Sequence, residues 1–366
     1  MATEQNISED YAVLFAGGIS PSRNFSRYYN SLKGLYEVLR DQHGIAQENI
    51  IVLYANAESD TRHDQAYGFG SIDEIVRLGV DPFLAESIFN EQLEFKKATA
   101  NNARLSRAEA EGFEENFADL NKRLGGLLKI DYQYEASDKD DGDYLAQVVY
   151  FASSDMTFAS GSSVLSANGS ALQSALTEVA GRVDSNDHVF FWTFDHGDFG
   201  EGQGNLIAYN DINPKWLFGR RDVGNQARLN GWGSDAIGNA QLAQWVAPVI
   251  ESAGYATLVY NQCFSGGMLA ASESAIDSAD YAYGIAATNQ YEQSINYAFA
   301  EGIRIALEAG RPLASELFAT AKDKDQFAFK GAYEPNAGEP KYPWEHPWAY
   351  GDGAFQYFRV MILLIL

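Results

Sequence analysis

The stretch YAVLFAGG, residues 11–18, decides the fold class because it is an apolar run that ends in two glycines. This pattern is typical of a buried parallel strand that leads into a functional loop. Apolar residues then recur at helical spacing over 32–39, and a second apolar run, NIIVLYA, occupies residues 49–55. A strand, a helix and a strand in this order form a βαβ unit, in which the strands are parallel and the helix packs on the sheet. We therefore expect an α/β fold with a mostly parallel sheet.

The same rhythm returns in the second half of the chain. Apolar runs at 187–194, 255–262 and 281–288 predict three further buried strands. Residues 172–179 and 295–307 place apolar side chains on one helical face. These segments extend the parallel sheet and supply helices to cover it.

One segment interrupts the rhythm. Residues 83–128 are rich in Ala, Glu, Lys and Arg and nearly free of strand-forming residues, which predicts a helical insertion broken near Asn101 and Asn102. Its role is either that of a lid or processing segment, or that of a decoration without function. Because the chain shows no internal repeat and no long linker, we expect a single domain, 1–366, that carries this insertion.

Two further segments predict loops. The acidic stretch EASDKDDGDY, residues 135–144, is expected to be solvated, and its aspartates do not follow the order of an EF-hand calcium loop. The tryptophan- and proline-rich segment 341–353 is expected to be an ordered loop that covers the edge of the sheet.

Composition excludes two classes of partner. The 366 residues carry 50 acidic and 26 basic side chains and a formal net charge of −24, whereas nucleic acids and anionic membranes require a basic surface. No segment approaches the ~18 apolar residues of a membrane span, and the N-terminus lacks the apolar region of a secretory signal. We expect a protein that is cytoplasmic or exported without an N-terminal signal peptide. No histidine spacing predicts a metal site, and the oligomeric state is left open.

Two of the predicted strands end in residues that carry chemistry. His196 follows the run at 187–194, and Cys263, the only cysteine, follows the run at 255–262. Catalytic groups converge at the carboxyl ends of neighbouring parallel strands, so a thiol and an imidazole can meet there. A thiolate is a strong nucleophile, and an imidazole raises its reactivity. Gly197 lets a backbone N–H approach a substrate and, with the amide of Cys263, offers two oxyanion donors.

Each of these residues also has an ordinary structural explanation. A lone cysteine at the end of a strand is usually part of the core, and a histidine beside glycine is common in loops. Their joint position, at the ends of two strands of one sheet, favours a catalytic dyad.

Five motifs follow one another in an order that points to a family. YAVLFAGG (11–18) and HGIAQENIIVLYAN (43–56) are similar to its first two strands, and DHVFFWTFDHG (187–197) is similar to the strand of its catalytic histidine. YNQCFSGGM (260–268) is similar to its nucleophile turn, and AATNQYEQS (286–294) to its substrate loop. The chain thus resembles the legumain-like cysteine peptidases of the caspase–haemoglobinase superfamily. The resemblance implies a caspase-like, three-layer α/β/α sandwich.

The resemblance also implies roles for matching residues. Cys263 is then the nucleophile, His196 the general base and acid, and the amides of Gly197 and Cys263 the oxyanion hole. Asn24 falls near the asparagine that orients the histidine of the family, and Arg27 near an arginine that lines its pocket for the P1 side chain. A loop cap explains Asn24 equally well, and a solvated arginine at a helix start explains Arg27.

One departure from the family pattern affects specificity. The acidic residue two positions before the nucleophile, which helps asparaginyl enzymes to bind the P1 side chain, is Asn261 here. Glu292 and Ser294 are candidate pocket-wall residues, although Glu292 is equally explained as a surface charge. Residues 288–293 are a candidate substrate edge. A pocket with Arg27 and without the carboxylate favours Asp, or accepts Asn or Gln, at P1.

The sequence therefore predicts a cysteine endopeptidase that cleaves peptide or protein substrates through Cys263, His196 and a thioacyl-enzyme, without a cofactor or metal. Two alternatives remain. In a transpeptidase or ligase of the same fold, an amine rather than water resolves the acyl-enzyme. A peptidase-like binding module keeps the sheet but has no turnover.

Overall fold

A computed structural model describes most of the chain. The described residues are 9–19, 24, 26–57, 62–66, 69, 71–100, 103–136, 144–153, 163–201, 205–206, 227–233, 235–290, 294, 298–310, 312–325, 328 and 345–354. The chain forms two compact units. The first comprises Met1–Ile19, Gly34–Ala57 and Phe158–Leu366, and the second comprises Ser20–Lys33 and Glu58–Thr157.

Strands and helices alternate along much of the chain. The strands are β1 (Asp10–Ala16), β2 (Ile50–Tyr54), β3 (Arg62–Ala66), β4 (Leu128–Ala136), β5 (Tyr144–Ser153), β6 (Val164–Leu165), β7 (His188–Phe194), β8 (Gly197–Glu201), β9 (Asn205–Leu206), β10 (Ala227–Gly231), β11 (Asp235–Gly238), β12 (Tyr255–Tyr260), β13 (Ala282–Ala286) and β14 (Trp348–Gly351). The α-helices are α1 (Ser26–Glu37), α2 (Ile72–Arg77), α3 (Pro82–Ala98), α4 (Arg107–Leu124), α5 (Gly169–Ala180), α6 (Asn239–Ser252), α7 (Ser265–Ser278), α8 (Ala298–Glu308) and α9 (Ala314–Lys324).

A seven-stranded sheet organises the first unit. Its strand order is β14-β13-β12-β7-β1-β2-β6. Only the pair of β13 and β14 is antiparallel, and all other neighbouring strands are parallel. The predicted α/β fold with a mostly parallel sheet is therefore confirmed. The three strands predicted to carry the chemistry or lead to it, β1, β7 and β12, are neighbours, with β7 in the middle.

The sheet is buried on both faces. Every residue of β7 is buried, which explains why this strand appears in the sequence as a continuous apolar run rather than an alternating one. On one face, Val13 and Phe191 belong to a core shared with α5, α6 and α7. On the other face, Leu14 and Trp192 are equally buried. This arrangement is compatible with a three-layer α/β/α fold.

The predicted helices of the first unit form near their predicted positions. α5 covers the periodic stretch at 172–179, and it begins where the Asn168 side chain accepts the N–H of Ala171 at 2.9 Å. α8 contains most of the stretch at 295–307, although Ile295 lies outside the described residues. A second, antiparallel sheet of order β11-β10-β8-β9 begins directly after His196.

The second unit combines helices with a small antiparallel sheet of order β3-β5-β4. Phe95 of α3, Phe117 of α4 and Tyr132 of β4 form an aromatic cluster, with ring centroids 5.9–6.1 Å apart. α3 and α4 lie in the segment where a helical insertion was predicted, with α3 starting one residue earlier. The predicted break at Asn101 and Asn102 lies outside the described residues.

Two predicted loops are partly wrong. The segment 135–144 begins in β4 and ends in β5, which pair from Leu128 opposite Ala152 to Ala136 opposite Tyr144. Only its middle, 137–143, lies outside the described residues. Within 341–353, Trp348–Gly351 is a strand that pairs with β13, so this segment supplies the edge strand instead of covering the edge as a loop. In both places backbone pairing satisfies polar groups that a loop would leave to water.

Among the helices of the described ranges, none combines the length and the apolar character that crossing a bilayer requires.

Candidate active site

The candidate site lies at the carboxyl ends of β1, β7 and β12. In the sheet register, Ala16 at the end of β1 is opposite Phe194, and Tyr260 at the end of β12 is opposite Thr193. The residues that follow these ends are Gly17 and Gly18, Asp195 and His196, and Asn261 to Cys263. The topology therefore brings the histidine and cysteine turns to one edge of the sheet, at the ends of two adjacent strands.

Gly197 brings these two turns into direct contact. A Cβ added to Gly197 would collide with the carbonyl oxygen of Cys263 and would lie 2.9 Å from the carbonyl carbon of Cys263 and from Cγ of Gln262. Real Cβ atoms do not approach backbone this closely, so only glycine fits here. The backbone that follows His196 is thus packed on the backbone of the cysteine itself.

Cys263 lies in a tight turn between β12 and α7. The next residue, Phe264, has a left-handed backbone with φ +58° and ψ +22°, which is unusual for a residue with a side chain. Such strain is concentrated at functional sites and requires support from the surrounding structure. The Cys263 side chain is partly buried, and its Sγ donates to the carbonyl oxygen of Ser294 at 3.7 Å. The following helix directs its first N–H groups toward this turn, where they favour negative charge.

Asp195 fixes the backbone of the histidine turn. Its Oδ1 accepts the N–H of His196 at 2.6 Å and the N–H of Gly18 at 2.8 Å, which joins the end of β7 to the end of β1. The carboxyl is buried, and this burial raises the pKa of Asp195 well above its usual range, although the N–H groups act in the opposite direction. The carbonyl of His196 accepts the N–H of Asn230 at 3.0 Å. Two bonds therefore hold the main chain on either side of the imidazole, and the third ties the Asp195 carboxyl to the end of β1.

The predicted pocket residue Asn261 is directed into the interior. It is 2% exposed, and both its backbone N and its Nδ2 donate to the carbonyl oxygen of Thr193 at 3.0 Å. Next to it, Oε1 of Gln262 accepts the Thr193 hydroxyl at 2.7 Å. These bonds tie Asn261 to β7. Its role in substrate binding stays a prediction.

The predicted substrate edge packs on the first turn of α7. The N–H of Thr288 donates to Oγ of Ser265 at 3.0 Å. A Cβ added to Gly266 would lie 2.6 Å from the backbone of Asn289 and Gln290, so this stretch of the edge lies directly against the helix. The rest of the edge, residues 291–293, lies outside the described residues, and it includes the predicted pocket-wall residue Glu292.

Two further predicted residues lie in the second unit. Asn24 is completely buried. Arg27 is partly buried, and its guanidinium lies 5.2 Å from the centroid of the Tyr28 ring. Their roles in orienting the histidine and in binding the P1 side chain stay predictions.

Sequence reasoning did not single out Asp195, Thr193 or Gln262 as parts of the site. Asp195 stands directly before His196, at the end of an apolar run. Because acidic side chains are seldom buried, a carboxyl in this position indicates a specific role and could have been noticed in the sequence. Thr193 and Gln262 carry no such signal, because their bond joins positions 69 residues apart. In the described part of the chain, no group of three His, Cys, Asp or Glu side chains is arranged to hold a metal ion.

Comparison with known proteins adds no family to these observations: no protein-family model matches the chain, and a search of curated proteins finds no match.

Proposed function

We propose that this protein is a legumain-like cysteine endopeptidase with a caspase-like α/β/α fold. The observation that carries the proposal is the packing of Gly197 on the carbonyl of Cys263, at the ends of two adjacent parallel strands. A histidine and a cysteine 67 residues apart thereby lie on turns in direct contact (263 − 196). The five motifs of the sequence, in the order of that family, give the same proposal independent support.

In the proposed reaction, His196 takes the proton of the Cys263 thiol, and the thiolate attacks the carbonyl carbon of the scissile peptide bond. The oxyanion that forms accepts hydrogen bonds from the amides of Gly197 and Cys263. His196 then gives the proton to the leaving amine as the C–N bond breaks, which leaves a thioacyl-enzyme. Water, deprotonated by His196, attacks the thioester, and release of the carboxylic acid restores the thiol.

The proposed substrate is a peptide or protein with an Asp-like or Asn-like P1 residue. This specificity rests on the family resemblance, which assigns Arg27 to the binding of the P1 side chain, and on Asn261, which stands where the family has a carboxylate. Asn261 is neutral, so it supplies no carboxylate at this position. The cleavage products of a diverse peptide mixture test this preference directly.

The test compares the wild type with Cys263→Ala on such a mixture, with every cleavage site identified by mass spectrometry. We expect cuts that cluster after Asp or Asn and disappear in the variant, a loss of at least about 10³-fold. Joined peptides in the presence of an added amine nucleophile would instead identify a transpeptidase. No cuts by the wild type, together with a Cys263 that does not react with iodoacetamide, would contradict the proposal and leave a binding module.

A further inference from the structure

A group of buried polar bonds joins the strand of His196 to the turn of Cys263. The carbonyl of Thr193 accepts both the backbone N–H and the Nδ2 of Asn261 at 3.0 Å. The hydroxyl of Thr193 donates to Oε1 of Gln262 at 2.7 Å. The proposed reaction uses none of these three side chains.

Their positions place this group between the two reacting residues. Thr193 is three residues before His196, and Gln262 directly precedes Cys263. The Cγ of Gln262 also lies 2.9 Å from the position of a Cβ added to Gly197, so this side chain packs under the glycine that follows the histidine. Gln262 therefore contacts the end of β7 on one side and the Gly197 backbone on the other.

Burial of these polar side chains costs free energy, because they lose their hydrogen bonds to water. Thr193 and Gln262 are both 0% exposed. Among the described residues, Nε2 of Gln262 and Oδ1 of Asn261 are buried without a hydrogen-bond partner. An apolar pair fills the same volume without desolvating an amide, and buried groups left unsatisfied in a folded protein point to strained or functional sites.

We propose that Thr193 and Gln262 are a positioning pair that sets the separation between the thiol-bearing turn and the histidine turn. Their hydrogen bond fixes the Gln262 side chain, and this side chain in turn holds Gly197 and Cys263 at their observed spacing. The inference rests on the proposed function, since it assigns the pair a role in thiol reactivity. Loss of the hydrogen bond between Thr193 and Gln262 slows the reaction of Cys263 more than it weakens substrate binding, because neither side chain is exposed to a substrate.

The chain offers a matched control. Thr257 of β12 is also 0% exposed, and its hydroxyl bonds to the His188 side chain at 3.4 Å, near the opposite end of the sheet. The experiment compares Thr193→Val, Thr193→Ser and Thr257→Val. It measures the thermal midpoint, the kcat and KM of peptide cleavage, and the rate of alkylation by iodoacetamide at pH 6 and pH 9. Since Cys263 is the only cysteine, alkylation of a thiol, located by peptide mapping, reports on this site alone.

We expect Thr193→Val to lower kcat by about tenfold or more with little change in KM, and to reduce the alkylation rate at pH 6 relative to pH 9. Thr193→Ser, which keeps the hydroxyl, restores both, and Thr257→Val lowers only the thermal midpoint. If Thr193→Val and Thr257→Val are alike in kcat and in the alkylation ratio, the pair is merely structural and the proposal fails.

Gln262→Met, which keeps the length of the side chain without the amide, provides a second route if Thr193→Val does not fold. It should reproduce the lower alkylation ratio, and an unchanged ratio would overturn the proposal. The two proposals fail differently. A wild type that cleaves no peptide, but whose alkylation at pH 6 depends on Thr193, would contradict the peptidase while supporting the pair.

Discussion

The two ends of β7 each carry a histidine, and they differ in almost every other respect. His188 at the amino end is buried, its Nε2 lies 3.4 Å from the Thr257 hydroxyl, and burial, with the charge of His43, lowers its pKa to about 3. His196 at the carboxyl end is partly exposed and lies next to Gly197. The first histidine is held neutral inside the protein, whereas the second is accessible.

Among the described residues, non-glycine residues with a left-handed backbone lie only at the carboxyl end of the sheet, whereas each end has a tightly packed glycine, Gly254 at the amino end and Gly197 at the carboxyl end. At the amino end, Asp187 accepts the N–H groups of Glu9 and Asp184 at 2.8 and 2.9 Å, which closes a turn in an ordinary way. At the carboxyl end, a left-handed Phe264 adjoins the cysteine, and Gly197 packs where no side chain fits. Location in the sheet, rather than residue type, therefore separates a structural histidine from a candidate catalytic one.

The largest expected effect on peptide cleavage comes from replacing the histidines at the two ends of β7. His196→Gln should reduce peptide cleavage by about 10³-fold while the thermal midpoint stays close to that of the wild type, because a partly exposed imidazole contributes little to the core. His188→Gln should keep cleavage within a few-fold at pH 7 but lower the midpoint. Cleavage assays and thermal unfolding measure both. Equal activity of the two variants would contradict the assignment.

The next effect concerns the glycine contact. Gly197→Ala should lower cleavage by about 100-fold and destabilise the protein by about 1–3 kcal/mol, because its Cβ collides with the Cys263 backbone. Gly181→Ala is the control, since a Cβ there meets nothing closer than 3.5 Å. Urea unfolding and cleavage rates measure the outcome. A Gly197→Ala variant as active as Gly181→Ala would mean that the two turns separate freely in solution.

The third effect comes from Asp195 and concerns the pH dependence of stability rather than cleavage. Its pKa is raised in the folded state, so the folded protein binds a proton more tightly than the unfolded chain, and stability falls as the pH rises above about 4. Asp195→Asn cannot ionise and lacks this slope. As the pH rises through the range in which Asp195 titrates, the free energy of unfolding of Asp195→Asn should increase relative to that of the wild type by up to about 1.4 kcal/mol per pH unit. Urea unfolding from pH 4.5 to 8 measures the difference, and a constant difference would show that Asp195 does not titrate there.

The sequence predicted the sheet because buried parallel strands are continuous apolar runs, and β1, β2, β7, β12 and β13 all have this pattern. It located Cys263 and His196 from the ends of two such runs. Both inferences depend on local pattern alone.

The strands that were not predicted from the sequence have other patterns. β4, with sequence LKIDYQYEA, alternates apolar and polar residues as an antiparallel strand does, and this is the signal that identifies it. β14 lies in a proline-rich segment, and its strand character comes from pairing with β13. The bond between Thr193 and Gln262 is likewise a product of strand register, which a single sequence does not contain.

The proposed function requires that Cys263 and His196 act as one site, and the alkylation rate of Cys263 tests this requirement. Wild type, His196→Gln and His188→Gln are treated with iodoacetamide at pH 6, and the modified intact mass is followed over time. We expect rapid modification of the wild type and of His188→Gln, and a rate at least about tenfold lower for His196→Gln. Equal rates for all three proteins would contradict this requirement, because the thiol would then be insensitive to the histidine at its own end of the sheet.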